Sequence, residues 1–189
     1  MKRKVFFHIR KNCYLSLNLG KQWKKVYSFH HPASLGTEGY FQDANEAMNK
    51  NSDNQNVDRF SILNKLEDFR TCRGHFHFKI CYPELAENFS FPCNEWIQTS
   101  NPVLDSITRD FKPIHLTFKS AHSDFKGLAK SERGEEETLI EDFPHQYNSR
   151  AFSVGTLKGR EGKIPGPGHI LVEKVVLYVN ACKYLIFTC

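Results

Sequence analysis

Residues 74–102, GHFHFKICYPELAENFSFPCNEWIQTSNP, hold most of the side chains whose types and spacing could do chemistry. Three chemistries are conceivable there. Cys81 and Cys93 bracket residues 82–92 and could close that loop as a disulfide, a cross-link on the scale of about 3 kcal/mol. Inside the loop, Asn88-Phe89-Ser90 matches the N-x-S/T acceptor pattern for an N-linked glycan. A sequon flanked by two cysteines joins two features of the same oxidising compartment; unpaired cysteines serving as small hydrophobes are the bland alternative. Next, Asn94, Glu95, Trp96, Gln98 and Asn101 form a polar run around a tryptophan. Sugars bind by stacking on an aromatic ring with amide and carboxylate hydrogen bonds, so this run could be a glycan-binding edge. A buried Trp96 with polar neighbours holding a turn is the competing reading.

Metal and catalytic chemistry fare worse. His75 and His77 share one side of an extended chain about 7 Å apart, but a third ligand such as His115 would have to come from a neighbouring strand. A solvent-facing histidine pair is the simpler reading, and no cofactor is expected. The six cysteines (13, 72, 81, 93, 182 and 189) show no C-x-x-C and no zinc-type grouping. There is no G-x-S-x-G elbow, and Glu141 and Asp142 point to opposite sides if extended. The chain is therefore read as non-catalytic; a hydrolase whose residues are dispersed along the sequence is the alternative.

The elements that must position these residues are mostly strands. Phe76, Phe78, Ile80 and Tyr82 alternate with His75, His77, Lys79 and Cys81, the signature of a half-buried strand. Pro83 ends it. A strand is expected at Trp23–Phe29, with Trp23, Tyr27 and Phe29 on one face. Another is expected at Trp96–Ser100, and one at residues 113–119 with Ile114, Leu116 and Phe118 inward. HILVEKVVLYV (169–179) places Leu171, Val175 and Leu177 on one face and Val172, Val176 and Tyr178 on the other, so it could be covered on both. One helical turn is expected near Asp43–Met48. The main helix is expected at Asp58–Arg70, capped by Asp58, with Phe60, Leu63, Leu66 and Phe69 recurring at three-residue steps. Residues 122–134 read as a long loop, EEETLIEDF as helix or strand, and the Gly/Pro-rich 155–168 as an irregular connection. The expected fold is mainly β, a β-rich α+β domain: antiparallel, sandwich-like, with one packed helix.

Composition bounds the function. With 189 residues, 40% hydrophobic and 25% charged, the chain is long enough for a real core, and its sixteen phenylalanines suit an aromatic β interior. A net charge of +5, with basic residues near the N-terminus offset by Glu132, Glu135, Glu136 and Glu137, does not form a nucleic-acid groove. No run of 18 apolar residues crosses a membrane. The start, MKRKVFFHIRKNC, is basic, but His8 and Arg10 break its apolar run, so it does not read as a secretory signal. An extracellular protein would then be part of a longer secreted chain or an incomplete gene product.

The runs FHFKICYPEL and CNEW.QTSNP, with QWKKVYSF, GYFQDAN, FSILNKLEDFR, DFKGLAKS, TLIEDFP and IPGPGHILVEKVVLYV, resemble a module of extracellular coral and sea-anemone proteins. Related modules sit beside fibrinogen-like segments or in skeletal organic matrix proteins. The resemblance covers about residues 21–179, leaving an ill-defined leader at 1–20 and a tail at 180–189. It implies a secreted recognition or matrix module, with a glycan or matrix protein as partner, and carries over no catalytic or ligand residue. A structural matrix component without a small-ligand pocket is the alternative. Where relatives tend to carry tryptophans, this chain has Arg150-Ala151-Phe152-Ser153-Val154-Gly155, which departs from any recognition surface built on them.

Overall fold

The computed structural model describes residues 8–9, 13–14, 22–32, 40–71, 73–118, 125–131, 139–141, 153–157, 163–167 and 170–180. The strands, in chain order, are β1 (His8–Ile9), β2 (Cys13–Tyr14), β3 (Trp23–His30), β4 (Asn49–Lys50), β5 (Arg59–Ile62), β6 (Phe76–Cys81), β7 (Cys93–Gln98) and β8 (Lys112–Leu116). They continue with β9 (Ala129–Lys130), β10 (Ile140–Glu141), β11 (Ser153–Val154), β12 (Ile164–Pro165), β13 (Leu171–Val172) and β14 (Lys174–Asn180). The expected leader contributes only the β1–β2 pair to the described residues, and the tail from residue 181 lies outside them, as do Arg150–Phe152.

The fold is mainly β, and its frame is a seven-stranded antiparallel sheet ordered β4-β5-β3-β14-β6-β7-β8. The central position belongs to β14, the last strand described, which pairs with β3 on one side and β6 on the other. One face carries the core: Tyr27, Phe29, Phe76, Phe78, Ile80, Trp96, Leu177 and Val179 are all fully buried. A small three-stranded sheet, β9–β10–β11, and the pair β12–β13 supply Ile140, Val154, Ile164 and Val172 to the same apolar cluster. Phe125 meets Trp96 edge-on with centroids 4.8 Å apart, an arrangement the ring quadrupoles favour.

The alternation of residues 76–82 holds, with Phe76, Phe78, Ile80 and Tyr82 all inward. Other expectations change. The segment Asp58–Arg70 is not one helix: Arg59–Ile62 pair with β3, and a 3-10 helix runs from Leu63 to Phe69. Asp58 serves the sheet instead of a cap, its carbonyl accepting from the His30 N–H and its carboxylate facing His30 Nδ1 at 3.1 Å. Three-residue recurrence is the period of a 3-10 helix, whose i and i+3 side chains eclipse, and an α-helix would drift off it. Leu63 and Leu66 are accordingly buried together. The turn near Asp43 is α1 (Ala44–Met48), with Asp43 accepting from the Glu46 N–H as N-cap.

Trp23 does not share a face with Tyr27 and Phe29. Leu177 pairs with Tyr27 but Tyr178 pairs with Lys25, leaving Val26 as the extra residue of a bulge that flips everything before it. A second bulge, between Glu95 and Trp96, leaves Ile114 opposite no residue of β7, and Ile114 is exposed where it was expected inside. The strand expected at Trp96–Ser100 begins earlier, at Cys93, and ends at Gln98. The helix-or-strand segment contributes β10, and the expected loop 122–134 contributes β9. The Gly/Pro-rich connection contains β12, whose Pro165 carbonyl accepts from Ser153 Oγ at 2.5 Å. Residues 171–178 are two strands broken at Glu173. Val175 and Leu177 face the core as expected, but Val172 is buried and Leu171 only partly so, because the break resets the alternation.

Candidate functional site

The hairpin β6–β7 places the candidate residues in three settings. At its closed end, the register sets Cys81 directly opposite Cys93, so both side chains project to the same side. Their sulfurs are 2.06 Å apart, at bonding distance, and the Cα atoms 4.1 Å apart. The bridge lies on the sheet face away from the main core. The loop it closes is built by a 3-10 turn, Pro83–Glu87, whose Leu85 is buried. The Glu84 carboxylate accepts from the Glu173 N–H at 2.7 Å and the Lys174 N–H at 3.2 Å, tying the loop to the start of β14. Burial pushes the Glu84 carboxyl above its usual range, against the pull of those two hydrogen bonds. Asn88 is exposed, with its N–H bonded to the Leu85 carbonyl at 3.1 Å. Phe89 packs edge-on against Phe118 with centroids 5.0 Å apart, and Ser90 is exposed.

The polar run is split between the two faces. Asn94, Trp96 and Gln98 face the core and are fully buried, while Glu95 faces the other way. Trp96 Nε1 donates to Gln98 Oε1 at 2.7 Å. Gln98 then acts as a surrogate strand: Oε1 accepts from the Leu128 N–H at 3.0 Å, and Nε2 donates to the Leu128 carbonyl at 2.8 Å and the Ser100 carbonyl at 2.9 Å. Asn94 does the same for Phe118, accepting its N–H at 2.9 Å and donating to its carbonyl at 3.1 Å. Gly127 permits the approach of the second layer. Its φ of +94° suits glycine, and a Cβ there would lie 2.6 Å from Gln98 Oε1 and 3.2 Å from Trp96 Nε1. Asn101 holds the next turn, accepting from the Val103 N–H at 2.9 Å and donating to Glu67 Oε1 at 2.7 Å. Glu67 in turn accepts a two-pronged bond from Arg70, which holds its carboxyl below the usual range with help from Asn101 and against partial burial. The expected sugar-binding edge is thus corrected in its geometry: Trp96 offers no exposed ring face, and the amides of Asn94, Gln98 and Asn101 are engaged within the chain.

The other face carries arrangements that sequence reasoning missed. His77 Nε2 lies 2.8 Å from Glu95 Oε1, and Asn180 Nδ2 lies 3.3 Å from His77 Nδ1. The Glu95 carboxylate can only accept, so Nε2–H donates to it, and the Asn180 amide stands against the other ring nitrogen. Trp23 meets the His77 ring edge-on at 4.9 Å. Lys79 Nζ stands 4.4 Å from the Trp23 centroid and 4.9 Å from that of Tyr178, a double cation–π contact. Alternation alone put His77 and Lys79 outward. Apart from Glu95 on the neighbouring β7, their partners come from β3 and β14, far along the chain, and left no local signal.

The histidines considered together as ligands are dispersed. His75 precedes β6, where burial, Arg73 and Lys112 push its pKa down; His115 packs against the Phe91 ring at 4.5 Å. Among the described residues, no three His, Cys, Asp or Glu side chains are grouped to hold a metal ion, and no helix is long and apolar enough to cross a membrane. No family model, curated protein or solved structure matches the chain.

Proposed function

We propose that the chain is a non-catalytic extracellular recognition or matrix module that meets its partner, a glycan or a matrix protein, across its surface. The observation that carries this reading is the Cys81–Cys93 pair, set at bonding distance in the register of two adjacent strands. Such bridges persist in oxidising compartments, and the resemblance to secreted coral and sea-anemone modules points the same way. Internal use of Asn94, Trp96, Gln98 and Asn101 favours contact over a surface above a sugar pocket centred on Trp96.

The test is to express all 189 residues behind a secretion signal, map peptides without reduction, and probe immobilised glycans and extracellular-matrix proteins. The expected result is a Cys81–Cys93 linkage in folded material and saturable binding to one of the two panels. Folded protein with both thiols free would overturn the extracellular reading. A second reading, a hydrolase with a dispersed site, has the His77–Glu95 pair in its favour. Both nitrogens of that ring are engaged by Glu95 and Asn180, which suits a structural role better than a base awaiting substrate. Turnover of a generic ester or peptide that disappears in His77→Ala would transfer the assignment to the hydrolase.

A further inference from the structure

We infer that Asn88 is an N-glycosylation site, and that its glycan projects from the disulfide-closed end of the sheet. The inference rests on the extracellular reading, since the modification needs the secretory pathway. Asn88-Phe89-Ser90 is the only N-x-S/T triplet among the 189 residues. It falls in a loop, where such acceptors belong, and not in a strand.

The folded environment accommodates the modification at each residue of the triplet. Asn88 is exposed, and its side-chain amide has no hydrogen-bond partner among the described residues, so attaching a sugar breaks no contact there. Its backbone is held independently, through the N–H to the Leu85 carbonyl. Ser90 is exposed as well. Between them Phe89 turns the other way and seats on Phe118, with Tyr82 on the same ring at 5.6 Å. The middle residue is the anchor, and the acceptor beside it is exposed to solvent.

The chemistry balances with a lipid-linked oligosaccharide as donor. Asn88 Nδ2 bonds to the anomeric carbon of the first sugar as that carbon's bond to the diphosphate oxygen breaks. The lipid diphosphate leaves, and one amide proton passes to a base of the transferase. The placement has a structural consequence. The β6–β7 connection (82–92) and the β7–β8 connection (99–111) lie at opposite ends of β7. A glycan on Asn88 would therefore shield the end near the bridge and leave uncovered the end where Leu104 and Ile107 are 68% and 59% exposed.

The experiment expresses the full chain behind a secretion signal in a glycosylating eukaryotic cell. It scores secreted and retained material together for a mobility shift removed by peptide-N-glycosidase F, beside the non-reducing peptide map. The expected result is one glycan-sized shift, absent in both Asn88→Gln and Ser90→Ala, kept in Ser90→Thr, with Asn88 read as aspartate after enzymatic release. Asn88 unmodified in chains that carry the Cys81–Cys93 bridge would overturn the inference and leave the extracellular reading standing. Free thiols in folded protein would overturn that reading itself. Retained chains without a glycan count against the inference, because transfer occurs during translocation and does not wait for folding.

Discussion

The two faces of the seven-stranded sheet are held by different physics. On the core face, Phe78, Trp96, Ile80 and Leu177 are sealed from water, and Trp96 Nε1 and both amide ends of Gln98, which go in with them, are paired. The stabilisation there is area removed from water, at roughly 25 cal/mol per Å², guarded by hydrogen bonds whose loss would leave buried groups unsatisfied. On the opposite face, the intervening residues of the same strands are held pairwise: Cys81 to Cys93, His77 to Glu95, Lys79 between Trp23 and Tyr178. One face is cooperative and the other modular, so mutations should sort by face more than by residue type.

The comparison breaks most severely at the indole. Trp96→Ala is expected to cost about 3–5 kcal/mol, the range for removing a large buried aromatic, read as a fall in the urea midpoint with little change in slope. A cost below about 1 kcal/mol would mean that the core face is not the cooperative one. On the modular face, Cys81→Ser is expected to lose about 3 kcal/mol through loop-closure entropy. The wild type measured under reducing conditions should lose the same amount, and unequal losses would show that the cysteines matter for packing and not for the link. Lys79→Met removes the charge from between two rings while keeping the aliphatic stem, and should cost about 0.5–2 kcal/mol. Pairing it with Trp23→Leu in a double-mutant cycle isolates the contact, and additive losses would remove it from the account.

The smallest effect is pH-dependent. Arg70 and Asn101 hold the Glu67 carboxyl below its ordinary value, so its contribution is fully present above the unfolded pKa of about 4.3. That contribution is lost as pH falls through the lower folded value. Glu67→Gln should therefore flatten the acid side of the stability profile and leave the neutral side shifted by a constant. Because the group is half exposed, the slope will be shallow. An acid limb identical to wild type would show that Glu67 is spent on the surface and does not hold the Asn101 turn.

Legibility in the sequence followed range. The β6 strand was readable because its alternation is strict and its burial is set by parity, and Cys81–Cys93 because only one hairpin separates the two cysteines. The helix at Asp58–Arg70 was misread for an instructive reason. Three-residue steps serve a 3-10 helix better than an α-helix, and the first part of the segment carried a strand that only β3 could reveal. Trp23 and Ile114 were misplaced by bulges, since one unpaired residue inverts every assignment beyond it. Trp96 was the ambiguous case: a tryptophan among amides reads equally well as a sugar platform or as a buried ring with its partners.

By itself, then, the sequence determined the β-rich class, the central aromatic strand, the sheltered hairpin with its two cysteines and the acceptor triplet between them. These depend on local alternation and on residues close along the chain. Only the tertiary structure decided that β14 takes the middle of the sheet, that Gln98 and Asn94 act as strand surrogates for Leu128 and Phe118, and that Lys79 finds Trp23 and Tyr178. Those outcomes rest on pairing between segments tens to more than a hundred residues apart. Their register is set by which hydrophobic faces can be buried together, a property of the assembled sheet that no single stretch of chain contains.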